Sequence, residues 1–280
     1  MITSKNPHGY ERTQAHAHPH THNITAQMVN VLIACEESGA ECEAFRELGF
    51  NAYSCDLKAA RIGSQLRWHI VEDVRPFLQG KHRFYTQDQQ CHRVTRWHLI
   101  IAHPPCTYLT RVGSVHMYKD GQLDPIREYK MREGAAFFYE CLAAKCDYLA
   151  VENPIPMAMA GLPPANAYAC PSWFGVKYTK KTLYWLRNLP PLMPQIIFPN
   201  PKSFVHCSRG AYRSRTFPQM AAAIAEQWGN YVLQDMQKKA GKMRLPAAEG
   251  SATGVVTTPR RTVAHRPQGV DKGSQYPKNP

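Results

Sequence analysis

The chain contains no apolar run that approaches ~18 residues, the length needed to span a bilayer, and residues 1–28 hold no apolar signal core. No membrane segment or secretory leader is therefore predicted. Nine cysteines occur, but no two stand in a Cys-x-x-Cys pair, which argues against a structural zinc site. An odd number of thiols without a leader reads as a reduced, cytoplasmic protein. Acids are also short, 21 Asp and Glu against 34 Lys and Arg, giving a formal +13 over 280 residues. A basic excess suits a polyanionic partner, nucleic acid first, although charge alone is equally compatible with a basic protein that has none. No internal repeat is present. A monomer without metal is the expectation.

Composition divides the chain into three. Residues 1–28 are polar and carry His8, His16, His18, His20 and His22, which reads as a disordered leader. Residues 29–240 form the predicted folded, catalytic domain. From 241 to 280 there is little apolar periodicity, with seven Lys and Arg against two acids, which reads as a disordered basic tail.

The folded part opens with an apolar strand, Val29 to Cys35, then a helix from Gly39 to Leu48 with Phe45 and Leu48 inward, closed by Gly49. A second strand, Asn51 to Cys55, ends at Asp56, whose carboxylate suits ribose hydroxyls or, alternatively, a simple turn. Trp68 to Val74 reads as a third strand with Glu72 and Asp73 at its end. Lys81 to Arg96 reads as a basic surface excursion. Further along come a helix begun by Asp124-Pro125, with Ile126, Phe138, Cys141 and Leu142 inward and an end near Ala144, and a strand from Tyr148 to Val151 ending in Glu152-Asn153-Pro154. Ile155 to Phe174 reads as loop and Lys180 to Leu186 as strand. Phe217 to Asp235 is a helix with a stripe of Met220, Ile224, Trp228 and Val232. Strands alternating with helices predict an α/β sheet of Rossmann type.

The centre of the chain is WHLIIAHPPCTYLT, Trp97 to Thr110. Leu99, Ile100 and Ile101 make a continuous apolar run, as in a parallel strand covered on both faces. Pro104 and Pro105 cannot donate ladder hydrogen bonds, so they stop the strand and stiffen its exit. Cys106 then stands at the carboxyl end of a central strand, where open α/β sheets place their chemistry. A small apolar cysteine in a turn is the bland alternative. A thiolate here could attack an electron-poor carbon while a nearby acid handles the charge that develops elsewhere on the substrate. A cytosine ring, attacked at C6 and protonated near N3, would match that pairing.

These residues resemble a known family. HPPC at 103–106 is similar to the Pro-Cys motif of the cytosine-C5 DNA methyltransferases, and ENP at 152–154 resembles their Glu-Asn-Val motif. ACEESG at 34–39, Asp56, Asp73, KKTLYWL at 180–186 and RTFPQMAAAIAEQW at 215–228 stand in the family's order over roughly residues 30–230. The nearest likeness is to small members from bacteriophages and prophages. The resemblance implies a Rossmann-like class I methyltransferase fold, a mostly parallel α/β sheet with helices on both faces. It implies S-adenosylmethionine as cofactor, DNA as partner, and the cytoplasm of a bacterium or infected host. Cys106 would be the nucleophile, Glu152 would contact N3 and the exocyclic amine, and Asn153 would fix the loop. Lys180, Lys181 or Thr182 would replace the family's spaced arginines, with Lys181 the assigned candidate. Cys35, Glu36, Ser38, Gly39, Asp56, Asp73 and Pro104 would line the cofactor.

Three departures stand out. The first loop has a single glycine, lysine cannot reproduce an arginine fork, and the roughly thirty residues between the last strand and last helix are too few for a separate recognition domain. Recognition would fall to Tyr212, Arg213, the 81–96 excursion and the proline-rich loop. Other readings stay open: C5 modification of a free pyrimidine nucleotide or RNA, a non-catalytic DNA-binding relative, or a hydrolase pairing Cys106 with His103 or His116.

Overall fold

A computed structural model describes residues 23–60, 63–204 and 216–242. Strand β1 (Asn30–Ala34) is buried along its length, as its apolar sequence demands. Helix α1 (Ala40–Glu47) follows, and Gly49 turns the chain at φ +82° into β2 (Asn51–Asp56), parallel to β1 with Asn30 opposite Asn51. Leu48, predicted inward, is 44% exposed, because it is the residue that caps α1 rather than part of its inner face. Strand β3 (His69–Val71) and the single turn α2 (Arg75–Leu78) come next.

The 81–96 excursion is a hairpin, β4 (Arg83–Tyr85) paired with β5 (Cys91–Arg93). It belongs partly to the core. Strand alternation turns Phe84 inward, where its ring lies 4.9 Å from that of Tyr53 and 5.7 Å from that of Trp97, while Tyr85 faces out. Beyond β6 (Leu99–Ala102), a two-residue hairpin of β7 (Tyr118–Lys119) and β8 (Gln122–Leu123) leads into α3 (Pro125–Leu142). The Asp124 carboxylate caps α3, accepting from the backbone N–H of Ile126 and Arg127. Phe138 and Cys141 are buried, Leu142 is partly so, but Ile126 is exposed in the first turn, ahead of the buried stretch.

Strand β9 (Tyr148–Asn153) carries Glu152 and Asn153 within it rather than after it. The stretch predicted as loop contains β10 (Ala167–Ala169), which a three-residue Ala-Tyr-Ala segment does not advertise. Then follow β11 (Tyr178–Thr179), β12 (Thr182–Arg187), β13 (Lys202–Ser203), α4 (Pro218–Ile224), a π-helical turn at Ala225–Gly229, and α5 (Asn230–Lys242). The last helix outruns its predicted end at Asp235 by seven residues, into the first two residues assigned to the tail. Its stripe of Met220, Ile224, Trp228 and Val232 is buried.

Seven strands form one sheet in the order β10-β12-β9-β6-β1-β2-β3. Only β12 runs against the others, inserted between β9 and β10. This is an α/β Rossmann-like fold with a mostly parallel sheet. Alternation along the strands builds two cores. Leu32, Ile100 and Leu149 pack with Phe77 of α2 and Phe138 of α3 on one face. Val31, Ile33 and Ile101 pack with Phe45 of α1 and Ile224 and Trp228 of the C-terminal helices on the other. Helices therefore cover both faces. All the described residues belong to one unit, Met1–Lys242. Residues 23–28, assigned to the leader, include a 3-10 turn at Ala26–Met28. The leader histidines, Tyr212 and Arg213, and the basic tail beyond Lys242 lie outside the described residues. Among those described, no helix is long and apolar enough to cross a membrane, and no cluster of three or more His, Cys, Asp and Glu could hold a metal.

Candidate active site

The carboxyl ends of β6 and β9, adjacent and parallel, bring the two motifs together. The His103 N–H donates to the Ala34 carbonyl at 2.9 Å, extending the ladder by one residue before the prolines end it. Beyond them the Cys106 carbonyl accepts from the N–H of Leu109 and Thr110, closing a turn that holds the thiol at the sheet's edge. Asn153 Nδ2 donates to the Pro104 carbonyl at 3.3 Å, so the second motif ties down the first.

Glu152 faces Tyr184 across the β9–β12 ladder and is bonded to His103, whose Nδ1 lies 3.3 Å from Glu152 Oε2. The other ring nitrogen, Nε2, lies 3.1 Å from Glu41 Oε2. Glu41 belongs to the first turn of α1, is fully buried, and accepts from the Thr216 hydroxyl at 3.0 Å. The two carboxylates hold His103 well above the ordinary histidine range against the opposing effect of burial. Burial pushes Glu152 up, but the His103 hydrogen bond and the Lys180 charge more than offset it, leaving its carboxyl below the ordinary value. A cleft of about 310 Å³, including its open mouth, is lined by His103 and Glu152 together with Lys180, Thr182, Phe217 and Met220.

Lys180, not Lys181, faces this chemistry. Its charge acts on both Glu152 and the Cys106 thiol. Lys181 is exposed and sits over the Tyr168 ring at 4.6 Å. Strand alternation from Thr182, which is buried, separates the two lysines, and the sequence alone did not fix its phase. Burial and then the Glu152 charge push the Cys106 thiol up, with Lys180 opposing, so the thiol is protonated at neutral pH in this state.

Of the residues assigned to the cofactor, Cys35, Glu36, Ser38, Gly39, Asp56 and Asp73 lie at or just beyond the ends of β1, β2 and β3, while Pro104 stands beyond β6. Cys35 adopts φ +61° and its N–H donates to the Cys55 carbonyl; burial pushes its thiol well up. Glu36 turns inward. Its carboxylate accepts from the N–H of Glu41 at 2.8 Å and Cys42 at 3.3 Å, satisfying the start of α1, so it is committed to the helix rather than aimed at a ribose. Gly39 at φ +70° is covered by Gln65, whose side-chain amide donates to the Ser38 carbonyl; a Cβ on Gly39 would stand 2.6 Å from it. Asp56 ends β2 and accepts from the Lys58 N–H. Asp73 is half-exposed and paired with Arg75, which holds its carboxyl below the usual range, first through the Arg75 N–H. Of the acids at these strand ends, Glu37 pairs with Lys58 and Asp73 with Arg75.

Sequence reasoning did not identify Glu41, Thr216 and Tyr184 as parts of this site. An acid in a first helical turn reads as a favourable dipole partner, and no spacing pattern links it to a histidine 62 residues on. The available signal was His103 itself, a titratable side chain at the last position before a proline-stopped strand end.

No protein-family model matches the chain, and no curated protein sequence matches it. Among solved structures, a protein described as a DNA modification methyltransferase encoded within an E. coli prophage aligns at 16% identity and a TM-score of 0.36, over 61% of this chain and 52% of its own. A variant of Spodoptera frugiperda DNMT2 aligns at 16% identity and a TM-score of 0.31, over 63% and 56%. The chain thus spans little more than half the length of either. The fold assignment rests on strand order and not on these overlaps.

Proposed function

We propose that this chain transfers a methyl group from S-adenosylmethionine to C5 of cytosine in DNA, through a covalent bond between Cys106 and C6. The observation that carries the reading is the convergence of Cys106 and Glu152 on neighbouring parallel strand ends, with Lys180 acting on both. Such a placement at the carboxyl edge of an open sheet is where α/β enzymes bind and react.

The chain's residues then divide the work. Cys106 gives its proton to water and its sulfur lone pair forms the bond to C6, while the C5–C6 π pair moves toward N3. A proton delivered through Glu152 neutralises N3 and leaves C5 nucleophilic. S-adenosylmethionine, when bound, supplies the methyl group. The C5 proton passes to water, its bonding pair re-forms the C5–C6 double bond as the Cys106 thiolate departs and takes up a proton from water, and the N3 proton returns through Glu152. Asn153 keeps the Pro104 carbonyl, and so the Cys106 turn, in place. Asp56 would take the ribose hydroxyls. The chain's excess of Lys and Arg supports a polyanionic substrate, and a base within a duplex would have to be flipped out to reach Cys106.

A second reading, C5 modification of a free pyrimidine nucleotide or of RNA, is supported by the short connection between β12 and α4, which leaves no room for a separate recognition domain. One experiment separates them: labelled methyl transfer to cytosine-containing DNA, with free dCMP as a parallel substrate and Cys106→Ser alongside. Label on DNA that disappears in the variant supports the first reading, and label on dCMP alone supports the second. No label on either, with the protein folded, ends both.

A further inference from the structure

One fully buried carboxylate and one partly exposed carboxylate flank an imidazole that lines the cleft, and their hydrogen bonding carries a proton count. An ionised carboxylate can only accept. Glu41 and Glu152 each contact a different nitrogen of His103, at 3.1 and 3.3 Å. A neutral imidazole has one N–H and can satisfy only one of them. The trio therefore holds one proton more than two carboxylates and a neutral ring would, and low exposure, none at Glu41 and 16% at His103 and Glu152, makes leaving either contact unmade costly.

We infer that His103 is a positioning residue that stores the proton destined for the substrate ring, held between Glu152, which faces the substrate, and Glu41, which does not. What the proton is used for rests on the methyl-transfer reading; that it is stored there does not. When Cys106 adds to the ring, one proton passes from His103 Nδ1 to the Glu152 carboxyl and on to N3. The electron pair left on Nδ1 stays with the imidazole, which remains bonded through Nε2–H to Glu41. When the C5 proton is lost and Cys106 departs, the proton returns by the same route. Glu41 thus plays toward His103 the part of the buried acid in a Ser-His-Asp triad, fixing ring and tautomer without itself receiving the proton.

Among the described residues, the charged or titratable groups around the imidazole fit this arrangement. From α1 comes Glu41, anchored by Thr216. From β9 comes Glu152. Glu36, on the loop after β1, adds a further carboxyl that acts on His103. Lys180 acts on Glu152, opposing full neutralisation of that carboxylate. Tyr184 of β12, wholly buried beside both acids, is pushed well above its ordinary range and stays neutral.

The test is nitrogen-detected NMR of the histidine rings in the full chain, assigned with His103→Gln. The expected result is an imidazolium at His103 that persists well past about pH 6.5, where an ordinary histidine has deprotonated, and that reverts toward ordinary titration in Glu41→Gln. A neutral His103 ring at pH 7 in the wild type overturns the inference, whatever the substrate. The kinetic arm uses Glu41→Gln, and Glu152→Gln as a second spectral control if Glu41→Gln does not fold. Methyl transfer by Glu41→Gln should lose tenfold or more in kcat, keep KM for DNA within about twofold, and show its alkaline limb at lower pH. An unchanged kcat and pH profile in folded Glu41→Gln overturns the inference. If the wild type transfers no methyl group, the methyl-transfer reading fails and the ring spectrum alone decides the proton store.

Discussion

Asn153 and Pro104 lie at the ends of neighbouring strands, and the Asn153 amide donates to the Pro104 carbonyl across the gap at 3.3 Å. Pro104 cannot extend the ladder through its own nitrogen, so this side chain supplies a tie that the backbone cannot. Asn153→Ala leaves that buried carbonyl unpaired and should destabilise the fold by about 1–3 kcal/mol in denaturant titration. The loop carrying Cys106 should suffer more than the sheet, so methyl transfer measured well below the unfolding midpoint should fall at least tenfold. A variant that loses stability but keeps full turnover would show that the tie serves the fold alone.

The Cys106 thiol sits between opposite electrostatic influences, Glu152 raising and Lys180 lowering its pKa. Iodoacetamide alkylation at pH 8, followed by peptide mass mapping, reads its thiolate fraction. Glu152→Gln removes the raising charge and should speed labelling of Cys106 several-fold. Lys180→Gln removes the lowering charge and should slow it, whereas Lys181→Gln should leave it unchanged because that side chain lies on the Tyr168 ring. Equal effects from the two lysines would contradict their placement on opposite sides of the strand entrance.

Most of the sheet was legible because its strands are apolar runs closed by residues with a fixed meaning. Gly49 turns α1 into β2, Pro104 stops β6, and Asp124-Pro125 starts α3, each through a local backbone effect that needs no tertiary context. What escaped was set at a distance. Ala167–Ala169 becomes a strand only because β12 offers it a partner, and Phe84 enters the core only because Tyr53, Phe77 and Trp97 leave room for a ring. In the site, the strand-end residues Cys106, Glu152 and Asn153 could be named from their motifs. Glu41 could not, since its approach to His103 depends on how α1 lies across the sheet. Glu36 was misplaced for a related reason. The first N–H groups of α1 need acceptors whatever the loop's composition, and the nearest carboxylate turns to supply them.

Gly229 closes the π-helical turn between α4 and α5 directly against the rings of α1 and β2's entrance. A Cβ there would stand 2.7 Å from the Phe50 ring and 3.2 Å from that of Phe45. Both rings are fully packed, so neither can yield cheaply. Gly229→Ala should therefore cost about 1–3 kcal/mol by overpacking, although alanine is the better helix former. Thermal unfolding followed by circular dichroism measures it. A gain in stability would mean that the helix pair can shift away from α1, and that the π turn is not fixed by this contact.

Glu36 gives the fold a pH dependence of definite sign. Burial and the neighbouring Glu41 raise its carboxyl to about 7, against the opposing N–H groups of Glu41 and Cys42. An acid whose folded pKa exceeds its unfolded value near 4.5 adds stability that is complete below that value and is lost as pH rises through 7. Glu36→Gln keeps an oxygen to accept from α1 but cannot ionise. Its stability relative to wild type should improve steadily between pH 5 and pH 8, by on the order of 2–3 kcal/mol. The difference between the two proteins reports the Glu36 carboxyl together with its electrostatic coupling to Glu41 and His103. Parallel stability curves across that range would place Glu36 in an ordinary ionised state, and the start of α1 would then be held by a full charge rather than by a carboxyl that gives it up below neutrality.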